Sequence, residues 1–286
     1  MPRTLFTGGL VYDGTLAAPA EADVVVQDGV VVEVGSGLDG DASVDCSTGF
    51  VSPGFFDTHV HVTLDNPSQL YVLETPFSLQ FFQAAANLRK TLHGGVTYVR
   101  DAGGADLGIK EAVLRGLIEG PRMQIAVMML SQTGGHGDPW HVCGGDVPFF
   151  LPHPGRPDGV VDGPEQVRRR VREMIRAGAD VIKVATTGGV LSTRDDPTHA
   201  HFRDDEIAVM VAEAAAANLS VMAHAQGADG VKAAVRNGVR SIEHGIFLDD
   251  GAIDLMRDAG GWCQPCMHLS RSCERSTRGR PSRRLS

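Results

Sequence analysis

No stretch of this chain reaches the roughly 18 consecutive apolar residues that a membrane helix needs, so a helical span is not expected. The start, Met1-Pro2-Arg3-Thr4-Leu5-Phe6-Thr7, lacks the apolar core and processing pattern of a secretory signal, and a cytoplasmic protein is expected. Positive charge is scarce: 26 Lys and Arg stand against 35 Asp and Glu, a formal charge of -9 that argues against a nucleic-acid-binding surface. What is present is 42% hydrophobic residues and 35 glycines in 286 residues, the makeup of a globular α/β protein with many tight connections.

The charge is unevenly spread. Arg271, Arg275, Arg278, Arg280, Arg283 and Arg284 fall in residues 263–286 beside one acid, Glu274, leaving 20 basic against 34 acidic residues elsewhere. Cys263, Cys266 and Cys273 lie there too. The segment has no helical or strand period from Cys266 on, and an aberrant, disordered tail is expected. Its Cys263-Gln264-Pro265-Cys266 pair with His268 and Cys273 resembles a zinc knuckle, but the spacing is too compressed and no second pair follows.

Residues 1–50 alternate short β-like stretches with turns. Val24-Val25-Val26-Gln27 and Val30-Val31-Val32-Glu33-Val34 flank Asp28-Gly29, a strong hairpin signal, and a small β-sandwich-like domain is expected. From residue 51 to 262 the pattern becomes strand then helix, six times over. Strands are expected at 51–62, 97–100, 124–130, 180–184, 221–225 and 241–243, with a seventh beginning at Trp262. Helices are expected at 78–92, 109–118, 165–177, 204–217, 228–237 and 249–259. Such βα units build a parallel sheet, and functional residues then gather at the C-terminal strand ends. The expected fold is α/β: a TIM-like barrel, incomplete at its C-terminal side, with a small N-terminal β domain. The Gly- and Pro-rich stretch 136–164 is too long for a plain connection and is expected to cover a site.

Several chemistry-bearing residues close apolar runs. His59 and His61 follow Val51-Ser52-Pro53-Gly54-Phe55-Phe56-Asp57-Thr58, and their spacing puts both rings on one side of a strand. Lys183 sits in Asp180-Val181-Ile182-Lys183-Val184, His224 ends Val221-Met222-Ala223, and His244 ends Ser241-Ile242-Glu243. Four imidazoles and a buried amine at strand ends are what a metal centre on a β/α barrel needs. Each also has a plainer reading, as a packed histidine or a snorkelling lysine.

Pro53-Gly54-Phe55-Phe56-Asp57-Thr58-His59-Val60-His61 resembles the first-strand signature of the amidohydrolase superfamily. Thr91 to Asp101, Ile182-Lys183-Val184-Ala185-Thr186-Thr187-Gly188-Gly189-Val190, Ala223-His224-Ala225 and Ser241-Ile242-Glu243-His244-Gly245 recur in the order of one branch. That branch holds imidazolonepropionase-like hydrolases and metal-dependent Xaa-Pro dipeptidases, and the likeness covers roughly residues 1–262. The resemblance implies two divalent metal ions, zinc above all. His59 and His61 would hold the more buried ion, His224 and His244 the second, and a Lys183 carboxylated on its amine would bridge them. It implies hydrolysis of an amide bond in a dipeptide or N-acyl amino acid by a metal-bridging hydroxide, with His136 touching the substrate carbonyl or carboxylate.

The chain departs from that pattern in two respects, one being that the further strands the β domain would receive from the chain after the barrel are not expected. No strand eight is expected, so the aspartate that orients the water and passes its proton to the leaving group is absent. With the compositional break after Trp262, a C-terminally truncated chain is expected, of the kind a reading-frame change in a GC-rich gene leaves. An open barrel wall suggests self-association or a homo-oligomer. The alternatives are a non-catalytic metal-binding or inactive truncated protein, or a lactone or cyclic-amide hydrolase when full length. Asp101 is expected to order the barrel mouth, His141, His153, His199 and His201 to be loop residues, and Arg194 to be a solvated loop cation that could meet a carboxylate.

Overall fold

The structure, a computed structural model, describes residues 2–15, 17–190, 192, 195–260 and 262–264. Two compact units divide the chain, Met1–Phe55 and Phe56–Ser286.

In the first unit, β1 (Thr4–Thr7), β2 (Leu10–Val11), β3 (Ala20–Glu21), β4 (Asp23–Gln27), β5 (Val30–Gly35), β6 (Ala42–Asp45) and β7 (Phe50–Val51) form two small sheets, ordered β5-β4-β1-β6 and β3-β2-β7. The Asp28-Gly29 turn behaves as its composition dictates. Both residues have positive φ (55° and 76°), which a two-residue hairpin loop needs to match strand twist, and Gln27 pairs with Val30 across it. Val24 and Val25 are the unit's buried hydrophobic residues, one on each side of β4.

The second unit alternates as the βα pattern requires. Its elements are β8 (Phe55–Val60), α1 (Gln69–Glu74), α2 (Leu79–His93), β9 (Val96–Asp101), α3 (Leu107–Leu114), β10 (Arg122–Ile125), β11 (Met129–Leu130), α4 (Pro164–Arg176), β12 (Val181–Ala185), α5 (Asp204–Ala216), β13 (Ser220–Gly227), α6 (Ala228–Arg236), β14 (Ser241–Phe247), α7 (Asp250–Asp258) and β15 (Trp262–Gln264). The strands run in two arcs, β10-β9-β8 and β11-β12-β13-β14-β15, and the β10–β9 ladder and every ladder of the second arc are parallel. This is an α/β TIM-barrel-like core flanked in sequence by a β-rich N-terminal region.

Helix faces follow from spacing. In α4, Val167, Val171 and Met174 recur at four and three residues, one stripe at a 3.6-residue period, and all three are buried. Asp106 and Asp249 cap α3 and α7 by accepting the N–H groups of Ile109 (3.0 Å) and Ala252 (2.8 Å).

One expected strand is interrupted. Residues 124–130 divide into β10 and β11 because Val127 takes φ 66°. The break has a visible cause: Met128 N–H closes a tight turn onto Ala126 O at 2.8 Å, and Val127 O accepts Gly104 N–H at 3.0 Å. Residues 265–286, the greater part of the expected tail, lie outside the described residues. Among the described residues, no helix is long and apolar enough to cross a membrane.

Candidate active site

His59 lies in β8 and His61 just beyond it, and period-two alternation sends both rings the same way, with centroids 5.3 Å apart. His59 Nδ1 is 2.7 Å from Glu243 Oε2 in β14. His61 Nδ1 donates to Gly103 O at 2.8 Å, so its neutral ring keeps a lone pair on Nε2. Asp101, at the end of β9, holds this corner together. Its Oδ1 accepts Gly103 and Ala105 N–H (3.0 Å each) and its Oδ2 accepts Val62 N–H (2.8 Å). Burial nevertheless raises the Asp101 carboxyl to about 6, against the pull of those three donors.

Glu243 is wholly buried, and its other oxygen accepts Arg100 and Ser241 Oγ at 2.8 Å each. A buried carboxylate with a guanidinium, a hydroxyl and an imidazole around it is fully satisfied. Lys183 in β12 is 1% exposed, and its Nζ has no hydrogen-bond partner. Burial lowers its amine to about 7, with Glu243 opposing the shift, so a large neutral fraction exists at neutral pH.

His224 in β13 and His244 in β14 close the ring of imidazoles. His244 lies 5.0 Å from His59 and 4.7 Å from His224 between centroids, and His136 stacks on His224 at 4.3 Å. His224 Nε2 is 3.0 Å from Gly188 O, which can only accept, so this nitrogen carries the proton. Burial is the first cause of lowered basicity throughout. It brings His61, His136 and His244 down to about 4 and lowers His59 and His224 as well. At neutral pH the cluster is therefore a set of uncharged nitrogen bases.

His136, in the loop after β11, is held at Nδ1 by Ser192 Oγ (2.9 Å), whose hydroxyl reaches Gly189 O at 3.2 Å. Gly189 has to be glycine, because a Cβ there would overlap the His136 ring. Phe150 packs on His61 and Phe149 on His136 (centroids 5.5 and 5.8 Å), so the Gly- and Pro-rich stretch does lie against the cluster.

All six residues singled out in the sequence, His59, His61, His136, Lys183, His224 and His244, thus come together. His199 is exposed, and His153 sits between Phe77 and Phe81, 3.7 Å from Asp106. His201, read as a loop residue, is buried with no partner for its Nδ1. Arg194 lies outside the described residues. Sequence reasoning missed Arg100, Asp195 and the orienting role of Glu243. Glu243 was within view as the charged residue of an otherwise apolar strand.

With this geometry in place, the comparisons identify the family. Residues 50–282 match the amidohydrolase family, and the chain belongs to it. That family comprises metal-dependent hydrolases acting on C–N bonds. Ochratoxinase of Aspergillus niger is 34% identical over 277 residues, 90% of this chain and 57% of that protein. The chain thus spans little more than half the length of that curated relative. A solved prolidase complexed with N-methylphosphonate-L-proline superposes with TM-score 0.84 at 38% identity, over 98% of this chain and 70% of the other. A solved Xaa-Pro dipeptidase with bound methionine gives 0.82 at 31%, over 97% and 70%.

The cofactor expectation is corrected. Among the described residues, no group of three or more His, Cys, Asp or Glu is arranged to hold a metal ion. The two divalent ions, zinc included, bridged by a carboxylated Lys183 therefore do not stand. The physical reason lies in the donors. His224 Nε2 carries a proton directed at Gly188 O and offers no lone pair there, while His59 and His61 are tied at Nδ1 to Glu243 and Gly103 O and keep only Nε2. The residues as they stand do not fit that pair of ions, and no step below runs through it.

Proposed function

We propose that this protein hydrolyses the amide bond of a dipeptide or an N-acyl amino acid, and that His59, His61, His136, Lys183, His224 and His244 form its reacting centre. The observation that carries this reading is the meeting of five uncharged imidazoles and a buried amine, supplied by β8 and its exit, β12, β13, β14 and the loop after β11, in a chain of the amidohydrolase family. Prolidase and Xaa-Pro dipeptidase relatives support a small peptide-like substrate.

The chemistry asks for a base, a polariser of the carbonyl and a proton for the leaving nitrogen. A water oxygen attacks the amide carbonyl carbon and gives its proton to a neutral imidazole. The same proton passes to the leaving amine as the C–N bond breaks. His136, whose Nδ1 proton goes to Ser192, presents a bare Nε2 and contacts the carbonyl oxygen or the product carboxylate once that nitrogen has taken a proton. A cavity of about 1020 Å³ beside the cluster, lined by Met128, Trp140, Phe149, Phe150 and Leu151, suits a large apolar side chain.

The test is a panel of dipeptides, N-acyl amino acids and lactones. Release of free amine from the first two classes is the expected result. Turnover of lactones alone would reject the amide reading, and no turnover of any class would favour a non-catalytic binding protein.

A further inference from the structure

Asp195 is a buried carboxylate that the hydrolytic chemistry above does not use. Its side chain is 2% exposed, and Oδ2 accepts Gly189 N–H at 2.9 Å. Oδ1 has no partner at all. Among the described residues no lysine or arginine pairs with it. Among the described residues, His136 Nδ1 lies 4.0 Å from Oδ2, and that ring is already engaged by Ser192. A buried carboxyl oxygen with no hydrogen-bond donor is costly unless something supplies one.

The position suggests what does. Asp195 lines a small cavity of about 50 Å³ with Gly134, His136, Trp140, Phe149 and Ser192. That is room for a few small atoms, more than one water requires. The cavity shares Gly134, Asp138, Trp140 and Phe149 with the larger apolar one, so a polar head and an apolar side chain can be held side by side.

We propose that Asp195 receives the free α-ammonium group of a dipeptide, selecting peptides with an unblocked amino terminus over N-acyl amino acids. The inference rests on the amide-hydrolase reading above and narrows its substrate class. An ammonium brings the donor that Oδ1 lacks, and a charge-assisted N–H···O bond in a dry site discriminates strongly against an analogue without the donor.

Phenylalanyl-leucine and hydrocinnamoyl-leucine differ only in that ammonium. Trp140 lines both cavities, so tryptophan fluorescence after rapid mixing reads binding before turnover. The wild-type chain should bind the dipeptide at least tenfold more tightly, and in Asp195→Asn the preference should shrink to within threefold. Should that variant fail to fold, the wild-type comparison decides alone. Equal or tighter binding of hydrocinnamoyl-leucine overturns the ammonium site, and so does a preference that survives in folded Asp195→Asn. Hydrolysis of hydrocinnamoyl-leucine would then leave the amide reading intact. If neither ligand binds and only lactones turn over, both readings fall.

Discussion

Glu243 and His244 are consecutive, yet both meet His59: Glu243 Oε2 lies 2.7 Å from Nδ1 and the His244 ring 5.0 Å away. In a regular strand they would point to opposite faces. The resolution is His244's φ of 82°, a left-handed conformation that turns its ring back. Such a backbone costs a non-glycine residue on the order of 1–2 kcal/mol. His244→Gly is therefore expected to be more stable than His244→Ala by about 1 kcal/mol in urea unfolding, with both inactive. Equal stability would mean that the position carries no strain. Asp101 is the second decisive residue, since removing it strands three buried N–H donors. Asp101→Ala should lose more than about 3 kcal/mol, and Asp101→Asn less, because only the Val62 N–H would face an amide donor. A loss within experimental error for Asp101→Ala would show that the strand-end network is not needed.

At the scale of elements, helix packing contradicts helix propensity at Gly230 in α6. Alanine is normally worth roughly 1 kcal/mol over glycine inside a helix. Here a Cβ would run into Thr186 O and the Thr187 side chain at the end of β12. Gly230→Ala should destabilise by about 2 kcal/mol or more by thermal melting, and a stabilised variant would refute this packing. The same scale shows what periodicity could and could not reveal. Helix spans such as α2 and α4 followed from the change of period, and the strand positions of His59, Lys183 and His224 from the apolar runs around them, although Lys183 falls in the middle of β12 and three residues of β13 follow His224. The break at Val127 was hidden, because it depends on Gly104 reaching across from another strand end. The Glu243 contact was hidden by alternation itself. Asp195 was illegible because its burial depends on loop packing, for which polar sequence carries no period.

For the whole molecule, the buried imidazoles set the response to acid. His61, His136 and His244 titrate near 4 when folded and near 6.5 when unfolded, with His59 and His224 shifted the same way. Below pH 6.5 the unfolded chain binds protons that the folded chain refuses. The stability these neutral rings contribute is thus complete above 6.5 and lost as pH falls towards 4, at up to about 1.4 kcal/mol per pH unit for each ring. Urea midpoints should drop steeply between pH 6.5 and 5. A flat profile there would place the histidines in contact with solvent.

Association is the second property at this scale. Val30, Val31, Val32 and Val34 of the edge strand β5 are exposed, between 47% and 61%, which favours self-association through unpaired strand edges. Light scattering on freshly purified protein should give a mass above that of a single 30.3 kDa chain. A stable monomer at high concentration would exclude it.

The claim on which the rest depends is that the imidazole–lysine cluster is where amide bonds are hydrolysed. It is tested most directly by kcat/KM for one dipeptide in wild type, His61→Ala and Lys183→Met, with the exposed His199→Ala as control and melting curves for all four. The expected result is a loss of at least about a thousandfold in the two cluster variants, no loss in His199→Ala, and folded protein throughout. A loss of less than tenfold in folded His61→Ala and Lys183→Met would contradict it.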